Sequence, residues 1–591
     1  MTDSSETVQV GTKTAAAVLA AAALVVLAAG RRYLTDAQSP DRDDNSAHFA
    51  LMMHIADLWR AGVTDLWWNQ ANLGLPLFLA YQPLPALASG TVAALFEGTA
   101  ARLFIYKFSV VGMWALMPAA WYVGGRWLGL DRLQALLFGL FTLAIHDLHD
   151  VGFAFTAASY GGLYTQIWGM FFFPATVGAF RRYVVDLDLP LVVPVALFVV
   201  LSLSHLFCGM YAGIATLMWV VVAGTDERVG QLKRALEVYL PALALLAFWL
   251  GPLVATSDLP WKNEYYNGWP VVELFRHLLG GDVFDDGRVP WLTVLAGAGV
   301  FWTLQEVFGG AEERGGLAAR APGVRWMLAL SALSLLLFMG RTNFGSLYNL
   351  LPMHESVNVM RYINAIHFCG LLFAAVAGAR LVRWGDRWIA GNLSAERASW
   401  VALGAVALLA GLYGSDRYSA VNGSLKTFDQ THPNVRALVD DLADEPGQRF
   451  AVSEALNTAP HFYRDLLPAL SGRGQVQSYA LGYHATLSTY YADYYHYNST
   501  WARLFNAGAF VAREPFKERV VDRLDKTFEQ GPYSVWAPRD DDFGYFDFVR
   551  TPLAVDGDYH DIRPAVRRMM VPGFERRVLP VLRGPTDASK A

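Results

Sequence analysis

Long apolar segments recur along roughly the first 415 residues of the chain. A helix needs about 20 apolar residues to cross the hydrocarbon core of a bilayer. Segments that reach or approach this length predict eleven membrane spans. They are 13–30, 104–124, 133–146, 164–181, 190–205, 208–224, 238–255, 291–308, 326–340, 362–380 and 398–413. This pattern predicts a multi-span α-helical membrane protein, with residues 1–415 as its transmembrane domain.

The pattern changes at about residue 416. Residues 416–591 contain no apolar segment long enough to cross a membrane, and they mix short apolar segments with charges and Gly/Pro breaks. Such alternation is typical of short strands between helices. We therefore expect 416–591 to form a soluble α+β domain.

Composition agrees with a membrane protein. The chain is 54% hydrophobic and 17% charged, whereas soluble proteins carry about 25% charged residues. Its net charge is −5 and no basic domain stands out, which argues against a nucleic-acid partner. The two cysteines, Cys208 and Cys369, lie in apolar segments, so we expect neither a disulfide nor a cysteine-ligated metal.

Basic residues in the short loops predict the orientation, because cytoplasmic loops carry more Lys and Arg. An N-terminus in the cytoplasm places most of them inside, although Arg31 and Arg32 oppose the trend. The inside set is Arg126, Arg132, Arg181, Arg182, Arg228, Lys233, Arg234, Arg314, Arg320, Arg325, Arg380, Arg383 and Arg387. The first span is then an uncleaved anchor. The long loop 31–103 and the domain after residue 415 are expected to be extracytoplasmic.

The first outer loop contains a cluster of acids followed by a helical pattern. The acids are Asp41, Asp43 and Asp44. Asn45 or Ser46 is expected to cap an interfacial helix, which leaves the acids at its N-terminal end, where negative charge is favoured. Asp44 and His48 are four residues apart and can share a face. Either a reaction centre at the membrane surface or a solvated helix cap fits this pattern.

The second outer loop begins with His146, Asp147, His149 and Asp150, which lie within one helical turn. Two histidines and two acids at the outer end of a span suit a divalent cation, Mg²⁺ or Mn²⁺, or a phosphate–metal pair. The alternative is a polar helix end wetted by solvent.

Two further polar residues lie at the predicted outer ends of spans. His205 stands at the tight turn between spans five and six, where it fits either a structural hydrogen bond or a substrate contact. Arg361 stands at the outer edge of span ten, where a guanidinium can bind a phosphate bidentately or extend to lipid headgroups. No phosphate-binding glycine loop, nucleophile elbow or HExxH motif stands out, so nucleotide-driven transport has no support.

This layout resembles the GT-C superfamily of integral membrane glycosyltransferases. More narrowly, it resembles bacterial membrane proteins described as YfhO-like or 6-pyruvoyl-tetrahydropterin-synthase-related. The matching segments cover residues 10–415 and, more faintly, 445–515. They are the Asp44–His48 pair, LWWNQANLGLPLFLAYQPLPAL, SYGGLYTQIWGMFFFP, LSHLF, LPMHESVNVMRY and TWARLFNAGAFVA.

The resemblance implies a polyprenyl-phosphate-linked sugar as donor, a glycan, lipid or protein as acceptor, and a bacterial inner membrane. It implies Asp44 as general base, with Asp43 second, in a single inverting displacement. The implied substrate- and phosphate-binding residues are Arg361, His48, His205 and Tyr81. Positive charge for the leaving phosphate would come from Arg361 or from a cation held by Asp147 and Asp150. The family pattern has one dominant aspartate in this loop, whereas three acids compete here.

Two other functions fit the same layout. A transporter or flippase of lipid-linked glycan calls for ionisable residues deep within the spans and for inverted repeats; here the ionisable residues gather at outer ends. A non-catalytic membrane assembly factor on the same fold is the second alternative.

Overall fold

A computed structural model describes most of the membrane segments and parts of the C-terminal region. The described residues are 10–40, 44–71, 74–79, 81–147, 151–159, 161–255, 267–308, 321–351, 354, 357–392, 427–428, 431–444, 449–452, 466–476, 506–513, 524–538, 551–556 and 578–583. The eleventh predicted span, 398–413, and four candidate residues, Asp41, Asp43, His149 and Asp150, lie outside them.

Ten of the eleven predicted spans coincide with helices. The helices of this region are α1 Thr12–Ala29, α2 Arg31–Thr35, α3 Asn45–Arg60, α4 Leu84–Ala93, α5 Thr99–Trp127, α6 Arg132–Phe141, α7 Phe155–Ser159, α8 Tyr164–Arg181, α9 Val192–Ser204, α10 Leu206–Val222, α11 Thr225–Ala255, α12 Val271–Gly280, α13 Trp291–Phe308, α14 Ala321–Phe344 and α15 Ile363–Asn392. Shorter helical turns occupy Thr142–Ala144, Arg182–Asp186, Gly345–Leu350 and Val359–Tyr362.

Among the described residues, five helices are long and apolar enough to cross a membrane. They are Thr12–Ala29, Thr99–Trp127, Thr225–Ala255, Gly323–Leu350 and Val359–Trp388. Several others are shorter; α9 has 13 residues, about 20 Å of helix, because the chain turns at His205 directly into α10. A multi-span helical fold is therefore confirmed, and the number eleven stays a prediction.

The chain divides into two compact units. The first comprises Met1–Asp36, Gln82–Gly251 and Lys262–Leu425, and the second comprises Ala37–Tyr81, Pro252–Trp261 and Lys426–Ala591. Residues 37–81 come from the predicted first outer loop, yet they cluster with the C-terminal region.

In the first unit α15 is central. In an apolar 18-residue window of its span, Val359–Trp388, 83% is buried, whereas the share for the span of α1 is 11%. Aromatic rings fill the space around it, with Phe368 in edge contact with Trp121 and Phe138. Close helix packing depends on glycine: a Cβ on Gly124 of α5 would stand 2.5 Å from Pro174 of α8.

The second unit combines short strands with helices. The strands are β1 Ser39–Pro40, β2 Trp67–Trp68, β3 Leu75–Pro76, β4 Thr427–Phe428, β5 Arg449–Val452, β6 Ala507–Arg513, β7 Leu524–Gln530, β8 Tyr533–Pro538, β9 Thr551–Asp556 and β10 Val578–Arg583. The helices after residue 426 are α16 Pro433–Ala443 and α17 Leu466–Ser471. A four-stranded mixed sheet has the order β5-β6-β8-β7, and only β5 and β6 are parallel. Helix α3 packs on α17, and β1 pairs with β4. These elements are consistent with the predicted α+β domain.

A tight polar junction lies in the first unit where the loop after α6 meets α15. A Cβ on Gly152 would stand 2.5 Å from Cε1 of His367 and 2.9 Å from Cγ of Asp147. Both side chains are almost fully buried. His367 is fixed by its Nε2, which donates to the carbonyl oxygen of Val283 at 2.7 Å. Asp147 is held by its own hydrogen bonds to the amides of Val151 and Gly152, so an added methyl group would have to displace hydrogen-bonded neighbours.

We expect Gly152→Ala to lower the free energy of unfolding by about 1–3 kcal/mol, the usual cost of overpacking a filled interior. Thermal unfolding of the detergent-solubilised protein measures it. Gly224→Ala is the matched control, because Gly224 is also a loop glycine and its added Cβ would meet nothing within 4 Å. Equal unfolding temperatures for the two variants would contradict the close packing.

A histidine in α3 is held in its neutral form. The ring of His54 stacks on Trp68 with centroids 4.8 Å apart and planes at 14°. Burial lowers the pKa of His54 to about 4, while the neighbouring Asp57 opposes the shift. In the unfolded chain an ordinary histidine titrates near 6.5.

The stability of the second unit should therefore fall as pH drops from about 6.5 towards 4. In this range His54 becomes protonated in the unfolded chain but stays neutral in the folded one. Above 6.5 both states are neutral at this position and the contribution is fully present. We expect His54→Gln to lose less thermal stability than wild type between pH 7 and pH 5. Identical losses would show that His54 does not carry this dependence.

Candidate active site

Three of the predicted site residues come together in the second unit. Helix α3 begins at Asn45, and Asp44 occupies the position before it. The amide of His48 donates to the carbonyl oxygen of Asp44 at 3.0 Å. His48 is 2% exposed, and its Nε2 lies 3.4 Å from the hydroxyl of Tyr81. The structure therefore places Asp44, His48 and Tyr81 around the first turn of α3.

The start of α3 differs from the sequence-based expectation. Asn45 and Ser46 were the predicted caps, but both lie inside the first turn and are fully buried. Asp44 takes the capping position in a helical conformation, and its side chain makes no capping hydrogen bond. Its carboxylate is half-buried and is not used to close its own helix. A carboxylate in such a position has the chemistry of a proton acceptor and of a hydrogen-bond acceptor for a sugar hydroxyl.

Asp147, the described acid of the second motif, holds a tight turn in the first unit. Its Oδ2 accepts from the amides of Val151 and Gly152 at 3.1 and 2.8 Å. Nε2 of Gln166, on α8, donates to the carbonyl oxygens of the same two residues at 3.0 and 2.5 Å. These contacts join Val151 and Gly152 both to Asp147 and to α8.

His146 is tied to a different part of the first unit. Its Nδ1 lies 2.9 Å from the carbonyl oxygen of Asp286, and its backbone forms a parallel bridge with Asp285. Asp285 is itself buried and accepts from the amide and the hydroxyl of Thr293 in the first turn of α13. Burial raises the pKa of Asp285, and these hydrogen bonds oppose the shift.

The described residues give the proposed cation few ligands. Within the ranges that the structure describes, no three His, Cys, Asp or Glu side chains are arranged to hold a metal ion. Asp147 Oδ2 and His146 Nδ1 already bond to the backbone. The other two predicted ligands, His149 and Asp150, lie outside those ranges. The cation stays a prediction, and no catalytic step is derived through it.

The structure brings His205 and Arg361 together. His205 stands between α9 and α10 in an extended conformation, is 2% exposed, and places its Nδ1 3.3 Å from the amide of Cys208. Its Nε2 lies 2.8 Å from Nη1 of Arg361. A guanidinium can only donate, so Nε2 accepts and the ring proton resides on Nδ1. The longer approach of the Cys208 amide is then not a true hydrogen bond.

This pairing leaves the charge of Arg361 uncancelled. Neutral imidazole removes no charge, and no carboxylate pairs with Arg361 within the described ranges. Four N–H groups of the guanidinium are left beyond the one that meets His205. The arrangement fixes the orientation of a planar cation and fits an oxyanion such as phosphate, which guanidinium binds bidentately.

Two residues of this region went unnoticed in the sequence. Gln166 and His367 are fully buried, within predicted spans four and ten. Polar residues inside membrane segments are a recognised signal of function or of polar packing. That signal was available in the sequence, but the partners were not. Gln166 contacts the loop at Gly152, and His367 contacts the carbonyl oxygen of Val283, 84 residues away.

Similarity to solved structures extends over most of the chain. It matches arabinofuranosyltransferase AftD from Mycobacteria with a TM-score of 0.58 and 16% identity, over 99% of this chain and 44% of that one. It matches the Archaeoglobus fulgidus oligosaccharyltransferase in its apo form with a TM-score of 0.54 and 11% identity, over 85% and 70%. The same organism's AglB in complex with an inhibitory peptide and a dolichol-phosphate matches with a TM-score of 0.50 and 12% identity, over 84% and 69%.

No protein-family model and no curated protein matches the chain. The narrower YfhO-like resemblance is therefore not confirmed. The chain spans under half the length of AftD, and at these identities the similarity establishes the fold alone. That fold, in a chain with several membrane-length apolar helices, is the one expected from the GT-C resemblance: this multi-pass membrane protein shares its fold with GT-C glycosyltransferases.

Proposed function

We propose that this protein is a glycosyltransferase that moves a sugar from a polyprenyl-phosphate-linked donor to an acceptor hydroxyl on the extracytoplasmic face of the membrane. The observation that carries the proposal is Arg361, a cation oriented by a neutral histidine at 2.8 Å and left without a counter-charge in the described ranges. The shared fold supports the same reaction class, because its solved members transfer sugars.

Arg361 would bind the phosphate of the donor. As the bond between the anomeric carbon and the phosphate oxygen breaks, its electron pair passes to that oxygen. Guanidinium N–H groups stabilise this growing negative charge more strongly than the ground state, which is how a fixed cation accelerates such a step. His205 would act as a positioning residue that keeps the plane of the guanidinium in place.

Asp44 would act as the general base. The acceptor oxygen forms the new bond to the anomeric carbon while its proton passes to the Asp44 carboxylate, so a single displacement inverts the configuration. The helical position of Asp44 and its partial exposure suit contact with an incoming hydroxyl. His48, whose amide donates to the carbonyl oxygen of Asp44, and Tyr81, whose hydroxyl contacts His48, would bind the sugar. Asp43 is the alternative base.

We expect Asp44→Asn to lower kcat/KM by about 10²–10⁴-fold, the usual contribution of general-base catalysis, while polyprenyl phosphate still binds. Envelope glycans of cells lacking the protein, complemented with each variant, give the readout. Asp57→Asn, an exposed acid on the same helix, should restore the glycan in full.

An Asp44→Asn variant with full transfer activity would remove Asp44 from the mechanism, and Asp43→Asn would then be the next variant. A flippase would be recognised by a different result, because the wild-type protein would move lipid-linked glycan across the membrane without forming a new glycosidic bond. If the protein were a non-catalytic assembly factor, both Asp44→Asn and Asp43→Asn would still complement cells that lack the protein.

We expect Arg361→Gln to weaken binding of polyprenyl phosphate by about tenfold to a hundredfold, since it removes charge-assisted hydrogen bonds. Arg361→Lys should recover part of the affinity, because it keeps the charge and loses the bidentate geometry. Arg276→Gln, whose side chain is 70% exposed on α12, is the control. Unchanged affinity in Arg361→Gln would contradict the proposed phosphate site.

A further inference from the structure

A second basic site lies at the other end of α15. An open pocket of about 540 Å³ is lined by Trp302, Arg380, Leu381, Arg383, Trp384 and Arg387. Trp302 comes from α13 and the other five from the C-terminal half of α15. Three arginines and two tryptophans therefore surround one concave surface, and no acid is among the described residues that line it.

The arginines are held in place by their neighbours. Nη2 of Arg380 pairs with Glu306, and the guanidinium lies over the ring of Trp302 at 5.5 Å. Nη2 of Arg383 pairs with Asp131 at 2.6 Å. Each of these ion pairs uses one nitrogen of a group that has five N–H donors, so both guanidiniums keep donors for a ligand.

Arg387 differs from the other two. It is exposed, and no ion pair joins it to an acid of the described ranges. It adds a charge to the pocket that no ion pair of the described part of the chain cancels. The pocket thus offers two preorganised guanidiniums and one free to move onto a bound anion.

The rim of the pocket is apolar. Trp384 is 63% exposed and Leu381 is 45% exposed, with Val382 and Trp388 also exposed beside them. Tryptophan prefers the headgroup level of a bilayer, where its ring meets acyl chains and its N–H meets polar groups. A ligand that joins an anionic head to an apolar tail matches both parts of this surface.

The position on α15 fits the same ligand. Arg361 and Arg380 are 19 residues apart, which is about 28 Å along a helix and close to the thickness of the hydrocarbon core. The pocket therefore belongs to the bilayer interface opposite the proposed phosphate site. The general excess of Lys and Arg on the cytoplasmic side accounts for arginines at this end of the helix. It does not account for a concave surface that also contains two tryptophans.

We propose that this pocket binds the phosphate headgroup of an anionic phospholipid, with the acyl chains against Leu381 and Trp384. Basic pockets between membrane helices on the cytoplasmic side are suited to such headgroups. The site is independent of the proposed transferase reaction, because it neither contacts nor includes Arg361. Its occupant is a structural or regulatory lipid rather than a substrate.

The test uses the full-length protein, purified in detergent and titrated with phosphatidylglycerol or with phosphatidylcholine of the same acyl chains. Native mass spectrometry counts the bound lipids. We expect phosphatidylglycerol to be retained preferentially, and Arg387→Gln to reduce its retention about fivefold, the loss expected for one basic residue near an anionic headgroup. Trp384→Ala should weaken both lipids. Arg325→Gln, an exposed arginine at the start of α14, is the matched control.

Each outcome decides the proposal. Equal retention of the two lipids, or equal effects of Arg387→Gln and Arg325→Gln, would overturn it. Displacement of phosphatidylglycerol by millimolar inorganic phosphate would assign the pocket to a soluble phosphate ligand and overturn the lipid assignment. Arg387 contacts no described core residue through an ion pair, so unfolding is not expected to obscure the result; circular dichroism of the variant should match wild type.

Discussion

Among the residues that the structure describes, Arg361 at the start of the central helix has no acidic partner, and this constraint governs the candidate phosphate site of the first unit. Removing a charge from water costs several kcal/mol unless it is paired or hydrogen-bonded, yet Arg361 meets a neutral imidazole and not an acid. His205 can serve as that partner because the chain breaks between α9 and α10 at this residue alone. The uncancelled charge is useful when an anion arrives.

The membrane helices could be predicted from the sequence because apolarity over about 20 residues has few other physical causes. Ten predicted spans coincide with helices, and the break at His205 separates the fifth from the sixth. The start of α3 was harder to predict. Asn45 and Ser46 have good capping side chains, but tertiary packing buries both of them and gives the position to Asp44. The capping preference of Asn45 and Ser46 did not determine the helix start, because burying the whole first turn stabilises the fold more than one capping hydrogen bond, which is typically worth about 1 kcal/mol.

The candidate site was predictable in its residue types and less so in its partners. Asp44 with His48 followed from helical spacing, and both lie on one turn. The contact of His205 with Arg361 joins residues 156 positions apart, and nothing in a single sequence encodes that proximity. His146 illustrates the same limit. Its closeness to Asp147 in the sequence suggested that both residues bind one cation, but its ring contacts the carbonyl oxygen of Asp286, 140 residues away. Short-range spacing constrains which groups can meet, and tertiary structure selects among them.

Helix α15 carries positive charge near both of its ends, and the surroundings differ in a way that matters for function. Near the start, Arg361 is oriented by a neutral ring, so its charge is available to stabilise charge that develops during a reaction. Near the end, Arg380 and Arg383 each contact an acid, which anchors them and weakens their field. Each ion pair holds its guanidinium in place and leaves other N–H donors of that group for a ligand. The proposed phosphate site would use a cation whose charge is not cancelled by a described acid, whereas the proposed lipid surface would use a rigid and broad group of cations, and the two ends of this helix differ in that respect.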